Sequence, residues 1–333
     1  MLGLSTGLMY GNFIQKELPL LLTISDCVGW WDFTDTTVMW TNGFPTTGSP
    51  DFTRLQPASP PTSDGDTIDR IDNKAWALQS NTNNALGKYL KGINTDYKTG
   101  GANGHSYITL NGTGSRFNAG LGGDGGVGDG SGLSFIGDWP LSESTINLAA
   151  FTIFLVADAK NRDGRAFSIF GDKEDSNDSS RKEFHLYYDK TSPVAGQYKI
   201  DCYDGSTTTT ISSGTTGKSD NLHIITGVLS GSGDSQLYRD GDNTDGTTSA
   251  NSGSGSIDIT HASPNIHQQE NRIVIGRNLN LGSSSDSTSV SPSWDWGGSS
   301  GDRIYEIICY NRELTSDELS TVETHLKTKY DIS

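Results

Sequence analysis

Gly301-Asp-Arg-Ile-Tyr-Glu-Ile-Ile-Cys-Tyr-Asn-Arg-Glu-Leu-Thr315 runs directly into Ser316-Asp-Glu-Leu-Ser-Thr-Val-Glu-Thr-His-Leu-Lys-Thr-Lys-Tyr330, and this junction decides the fold class. Ile304 to Cys309 is a short β-branched and aromatic run, the composition of a strand packed on a sheet. Thr315 then supplies a helix cap with Glu318 three residues on, the spelling of a capping box. Leu319, Val322 and Leu326 recur on one face, and Lys327 and Lys329 fall in the last turn, where cations complement the helix dipole. A strand followed by one short helix with a single apolar stripe closes the chain, and the stripe predicts that the helix lies on a sheet.

Upstream the strand chemistry repeats without helical patterns between the runs. Trp76–Leu78, Tyr107–Leu110, Phe151–Val156, Ala166–Phe170, Phe184–Tyr188, Tyr198–Cys202, Leu222–Ile225, Gln236–Tyr238 and Arg272–Ile275 are each bounded by Gly, Asn, Asp or Ser. Parallel strands need long crossovers, usually helical, so the pattern predicts an antiparallel all-β protein, a two-sheet β-sandwich. Its first strand is read at Ile24 to Phe33, where Trp30 and Trp31 point to opposite sides and at least one must be buried. Residues 41–66 hold Pro45, Pro50, Pro57, Pro60 and Pro61 and are read as a long surface excursion. Glycine-rich stretches at 120–132, 227–233, 246–255 and 297–301 are read as connectors. Residues 1–22 form an extended N-terminal arm, a plain terminus or a docking segment, and 23–333 form one sandwich domain.

With 32% apolar residues and 41 glycines, the strands are expected to alternate buried and solvated positions. A net charge of −16, dispersed among turns, repels phosphate backbones, so nucleic acid is excluded as a partner. Cys27, Cys202 and Cys309 lie far apart in apolar or aromatic runs and read as buried thiols, in keeping with assembly in a host cytoplasm. The opening Met1–Tyr10 lacks a basic region and Leu18–Leu22 is too short to span a bilayer, so neither a secretory signal nor a membrane helix is expected.

Catalytic spellings are weak. Glycan-cleaving sandwiches need two carboxylates facing one cleft, and no Glu-x-Asp or Glu-x-x-x-Glu lies on a strand; Glu306 stands alone on the last one, with Glu318 and Glu323 on the helix. Gly297-Gly-Ser-Ser-Gly301 spells a nucleophile elbow without its strand and helix, and Gly214-Thr-Thr-Gly-Lys-Ser219 is two residues short of a phosphate loop. The six histidines show no zinc-ligand spacing. Calcium suits the Asp-rich loops better. Asp172, Asp175 and Asp178 form one candidate site and Asp240, Asp242 and Asp245 another, the alternative being ordinary turn residues. For ligand stacking, Trp294 and Trp296 share a direction in an extended chain and Trp139 is a second candidate, the alternative being core anchors.

Several of these stretches carry a resemblance. Gly29-Trp-Trp-Asp-Phe-Thr-Asp35, Tyr97-Lys-Thr-Gly-Gly-Ala-Asn-Gly-His-Ser-Tyr107 with Leu110-Asn-Gly-Thr113, Phe151–Val156, Leu222–Val228 with Leu237-Tyr-Arg-Asp-Gly241, and the closing 301–332 appear in an order that resembles the concanavalin A-like, laminin-G-like jelly-roll domains of extracellular bacterial proteins and bacteriophage structural proteins. The resemblance covers residue 24 to the end. It implies a phage virion structural protein, decorating a capsid, head fibre or tail, that presents a lectin-like sandwich for weak glycan or host-surface adhesion and is not an enzyme. Expected partners are other virion proteins through the arm, further copies in a homo-oligomer, and glycans; the expected location is the virion. The alternative is a free extracellular carbohydrate-binding module with bound calcium.

Overall fold

A computed structural model of the chain describes residues 18–41, 59–75, 89–93, 95–110, 116–119, 150–158, 164–170, 183–189, 197–203, 208–212, 222–230, 235–241, 272–275 and 303–333. Its strands are β1 (Cys27–Asp32), β2 (Met39–Trp40), β3 (Arg70–Asp72), β4 (Tyr89–Ile93), β5 (Thr95–Lys98), β6 (Tyr107–Leu110), β7 (Arg116–Ala119) and β8 (Phe151–Asp158). They continue as β9 (Gly164–Phe170), β10 (Glu183–Asp189), β11 (Gln197–Tyr203), β12 (Thr208–Ser212), β13 (His223–Leu229), β14 (Gln236–Arg239), β15 (Arg272–Ile275) and β16 (Arg303–Tyr310). Helices α1 (Leu18–Thr23) and α2 (Ser316–Tyr330) flank them.

Among the described residues the strands form two sheets. One runs β14-β13-β8-β16-β6-β5 with β1 also on β16; the other runs β12-β11-β10-β9-β15-β7-β4-β3-β2. The described ladders are antiparallel, as the turn-bounded runs predicted. Of the strands that sequence reading passed over, β2, β5 and β12 lie at sheet edges, where solvent satisfies one side and apolar alternation is weak, whereas β3, β4 and β7 lie within the sheet as short runs of three to five residues.

Side-chain parity sorts the core into two layers. Ile153, Leu155 and Ala157 of β8 face the gap between the sheets with Trp31, Ile307, Leu186, Ile200 and Ile275. Phe154 and Val156 face the other way, with Trp30, Ile308, Tyr310 and the α2 residues Val322, Leu326 and Tyr330. Both tryptophans are therefore fully buried, on opposite faces of β1. The expectation of half-solvated strands fails for β8, which is buried at every position because α2 covers its outer face. Gly227 marks the tight approach of the sheets, since a Cβ there would lie 2.4 Å from Ile200 Cδ1.

The capping box on α2 forms as read. Thr315 Oγ1 accepts from Glu318 N at 3.4 Å and Thr315 N donates to Glu318 at 2.9 Å. Arg312 grips the same carboxylate at 2.7 and 2.8 Å, and its hydrogen bonds, with that of Thr315 N, draw the Glu318 carboxyl down to about 2. The stripe is Val322, Leu326 and Tyr330, with Leu319 half-buried; each buried member contributes about 1.5–3 kcal/mol of transfer free energy. At the far end Asp331 takes the left-handed conformation (φ 51°) as the helix C-cap, and Asn103 Nδ2 donates to the Tyr330 carbonyl.

Two boundaries differ from the sequence reading. The arm was expected to be extended to residue 22, yet Leu18–Thr23 is helical and Leu21 is wholly buried in the layer beneath α2, with Tyr310 Oη donating to its carbonyl at 3.4 Å. Burial on a helix-covered face overrides the weak local pattern of so short a run. The first strand is correspondingly shorter, Cys27–Asp32 in place of Ile24–Phe33. Trp76–Leu78 and residues 1–17 lie outside the described residues.

Candidate functional site

β16 changes partner partway along one edge. Its C-terminal half pairs with β1, from Cys27 opposite Tyr310 to Asp32 opposite Glu306, and its N-terminal half pairs with β6, Ile304 opposite Ile108. Where β1 ends, Phe33 N still donates to Tyr305 O at 2.9 Å, after which the chain turns away through Thr34 and Asp35. The seam is sewn by Ser106 Oγ, which donates to Thr34 O at 3.2 Å. It leaves a cleft of about 590 Å³ lined by Asp32, Thr34, Asp35, Tyr97, Thr99, Gly104, His105, Ser106 and Lys329.

Behind the cleft lies a buried charge cluster. Asp32 and Glu306 are cross-strand partners on the face covered by α2, 2% and 0% exposed. Lys329 reaches down from the helix and places one ammonium 2.8 Å from Asp32 Oδ2 and 3.0 Å from Glu306 Oε2. Lys74 binds Asp32 at 3.0 Å and Asp35 at 3.1 Å, and its ammonium sits 4.5 Å from the Trp30 ring. The remaining acceptor capacity is also met. Thr34 N and Oγ1 donate to Asp32 Oδ1, Trp30 Nε1 donates to Glu306 Oε1 at 2.6 Å, and Tyr330 Oη donates to Glu306 Oε2 at 2.8 Å.

The electrostatics follow from this packing. Burial pushes the Asp32 carboxyl up, but the ammonium groups of Lys329 and Lys74 outweigh it and hold it well below the usual carboxylate range. Burial alone would lower Lys329 and Lys74; the facing carboxylates overcome that cost and raise both. Burial, with Glu306 and Asp32 nearby, raises the Tyr330 phenol well above its ordinary value. In this network each carboxylate thus faces a cation, and the phenol stays neutral.

The rim is braced by the turn before β6. Gly101 N donates to His105 O at 2.8 Å, Ala102 N donates to Tyr305 Oη at 2.9 Å, and the His105 ring rests on Tyr330 with centroids 4.9 Å apart. Gly101 is required by contact distance, because a Cβ there would meet His105 O, Tyr107 Cδ1 and Tyr305 Oη at 2.7 Å each. On the other side Thr99 N donates to Asp64 at 2.8 Å.

Sequence reading named Glu306 as solitary and treated Lys329 as a cation for the helix dipole. The partner carboxylate was missed because it lies on the neighbouring strand, where the sought spacing along a single strand cannot find it. A signal was present: a glutamate flanked by Tyr305 and Ile307 in a fully apolar run demands a buried cation. Of the predicted site residues, Trp139, Trp294 and Trp296 lie outside the described residues, as do Asp172, Asp175, Asp178, Asp242 and Asp245. Asp240 is described, at φ 54° in the β14 turn, with one oxygen 2.6 Å from His223 Nδ1 and the other accepting from Ile224 N at 2.8 Å. The described contacts of Asp240 are those of a turn residue that ties β14 to β13, and no cluster of three or more metal-binding side chains occurs among the described residues. Cys27 and Cys309 are buried thiols as expected, facing opposite sides of the sheet.

No protein family and no curated protein matches the chain. Among solved structures it is similar to Trypanosoma rangeli sialidase in complex with sialic acid, with 15% identity, a TM-score of 0.38, and 71% of this chain and 30% of that one covered. The same sialidase with 2,3-difluoro-KDN gives 12% identity and a TM-score of 0.42 over 88% of this chain and 37% of that one. The Ruminococcus gnavus IT-sialidase CBM40 gives 14% identity and a TM-score of 0.35 over 54% of this chain and 84% of that one. The chain thus spans about a third of the sialidases' length. With TM-scores this low, the assignment of an antiparallel β-sandwich rests on the strand pairing itself.

Proposed function

We propose that this chain is a phage virion structural protein, a capsid-decorating, head-fibre or tail-associated subunit, whose sandwich meets glycans or a host surface by recognition and not by catalysis. The observation that carries the non-enzymatic reading is the saturation of the two buried carboxylates behind the cleft, Asp32 and Glu306. A general acid needs a raised carboxyl pKa and a path to substrate. Asp32 is driven the opposite way by two ammonium groups, and Glu306 is sealed at 0% exposure behind Lys329 and Tyr330. Such a cluster fastens α2 to the sheet.

The virion assignment rests on the resemblance and on the arm, through which other virion proteins and sister copies would be engaged. Repeated display lets weak contacts sum. The dispersed charge of −16 argues against nucleic acid, and among the described residues no helix is long and apolar enough to cross a membrane. A second reading, a free carbohydrate-binding module with bound calcium, is favoured by the Asp-rich loops at 172–178 and 240–246.

Truncation separates the two. The cut belongs after residue 17, because Leu21 is part of the core. Deleting residues 1–17 is expected to abolish incorporation into particles while leaving the melting temperature unchanged; full occupancy of the truncated protein in particles would overturn the docking role. Glycan-array binding lost on Trp294→Ala, Trp296→Ala or Trp139→Ala, together with calcium-dependent melting, would favour the free module.

A further inference from the structure

We infer that the cleft at the β1–β6 seam is a binding site for a short uncharged saccharide and that it discriminates against anionic sugars. Its size falls within the range of small-ligand sites, at about 590 Å³. Most such sites are walled by apolar side chains; this one is walled by hydroxyls and charged groups, which suits a ligand that is itself covered in hydroxyls.

The lining is rich in acceptors for the hydroxyl protons of a polyol, whereas the carboxylate of a sugar acid can only accept. Asp35, its side chain 30% exposed, has Oδ1 filled by Thr37 N and Oγ1 and presents Oδ2, shared with Lys74, as an acceptor. Thr34, Thr99 and Ser106 present hydroxyl oxygens as acceptors, their protons being donated to Asp32, Asp64 and the Thr34 carbonyl, and His105 presents an imidazole backed by Tyr330. These groups are held before any ligand arrives, Ser106 by Thr34 O, Thr99 by Asp64 and the 101–105 turn by its own backbone bonds and Tyr305. Binding therefore orders few side chains, which keeps the entropic cost of a weak ligand low.

The charge balance sets the sign of the preference. Asp32, Asp35 and Glu306 stand against Lys74 and Lys329, so the cluster carries a net −1. Lys329 in the lining and Lys74 behind it are already bound to internal carboxylates, so among the described residues no unengaged lysine or arginine lines this site to receive a sugar acid. An anionic sugar would enter against a negative field with no compensating partner, whereas a neutral one loses nothing.

This inference rests on the recognition reading in taking binding as the chemistry. The test is saturation-transfer NMR on the full chain with lactose, maltose and chitobiose as neutral probes and sialyllactose as the anionic one. The expected result is transfer to at least one neutral sugar, at least about fivefold weaker transfer to sialyllactose, and loss of about tenfold in both His105→Ala and Thr99→Trp with melting temperature unchanged. Equal response to sialyllactose, no response from any sugar, or a neutral-sugar response that survives both cleft substitutions would overturn it. If the response survives those two but vanishes in Trp294→Ala with Trp296→Ala, recognition stands and this cleft is not its site. The particle-incorporation result is independent of all these outcomes.

Discussion

Replacing Lys329 with methionine isolates the energetics of the buried charge cluster. The substitution keeps most of the side-chain volume and removes one ammonium that lies 2.8 Å from Asp32 and 3.0 Å from Glu306. Asp32 keeps Lys74, but Glu306, with no exposed surface, is left with two neutral donors, Trp30 Nε1 and Tyr330 Oη. Stranding one member of a buried pair costs about 3–5 kcal/mol. With an urea m-value near 3 kcal/mol per molar, the midpoint should fall by about 1–1.7 M. The double variant Lys329→Met with Glu306→Gln should recover about 2 kcal/mol of that loss, giving a coupling of at least about 2 kcal/mol. The pH dependence follows from Asp32. Its folded pKa lies below its ordinary value of 3.8, so its contribution is present above that pH and is lost as pH falls below it. Wild type and Lys329→Met should therefore converge in acid, where Asp32 becomes protonated. A midpoint shift under about 0.3 M, or a deficit that persists undiminished in acid, would refute the view that Lys329 compensates these carboxylates.

Burial pushes the Cys27 thiol up to about 12, against a weaker lowering by its contact with the Gly29 carbonyl, and burial also raises Cys309. Both raised values stabilise the fold below the ordinary thiol value of 9.0 and that contribution is lost as pH climbs above it, so alkaline unfolding and labelling by an aromatic disulfide should begin together; rapid labelling of either thiol at pH ~8 in native protein would contradict this. Gly101→Ala should cost about 1–3 kcal/mol in thermal or urea melts, because its Cβ would press on the His105 carbonyl at 2.7 Å, and a neutral result would mean that the turn can move.

The fold was legible where local chemistry and tertiary packing agree. The capping box at Thr315 and Glu318, the strand at 304–309 and the runs at 151–156 and 184–188 each declare themselves within a few residues, and each forms. The candidate site was not legible for the opposite reason. Asp32, Lys74, Glu306 and Lys329 come from four separate parts of the chain, and they meet through the pairing of β1 with β16, the docking of α2 and the bonds of Asn73, beside Lys74, to Trp30 N and Val28 O. Each alone has an ordinary local explanation: an acidic turn after a strand, a lone strand glutamate, a helix-end lysine. What the local account leaves open is the partner of Glu306, whose neighbours commit it to burial on a face sealed by α2. A carboxylate so placed must be neutralised from across the sheet or from the covering helix, and here both occur: Trp30 donates from the adjacent strand and Lys329 and Tyr330 from the helix. The same lysine is shared with Asp32 at the floor of the cleft, so the group that fastens the terminal helix also sets the charge met by anything entering the seam. Helix docking and ligand preference at this edge are therefore two consequences of one buried ammonium, and a substitution there should alter both.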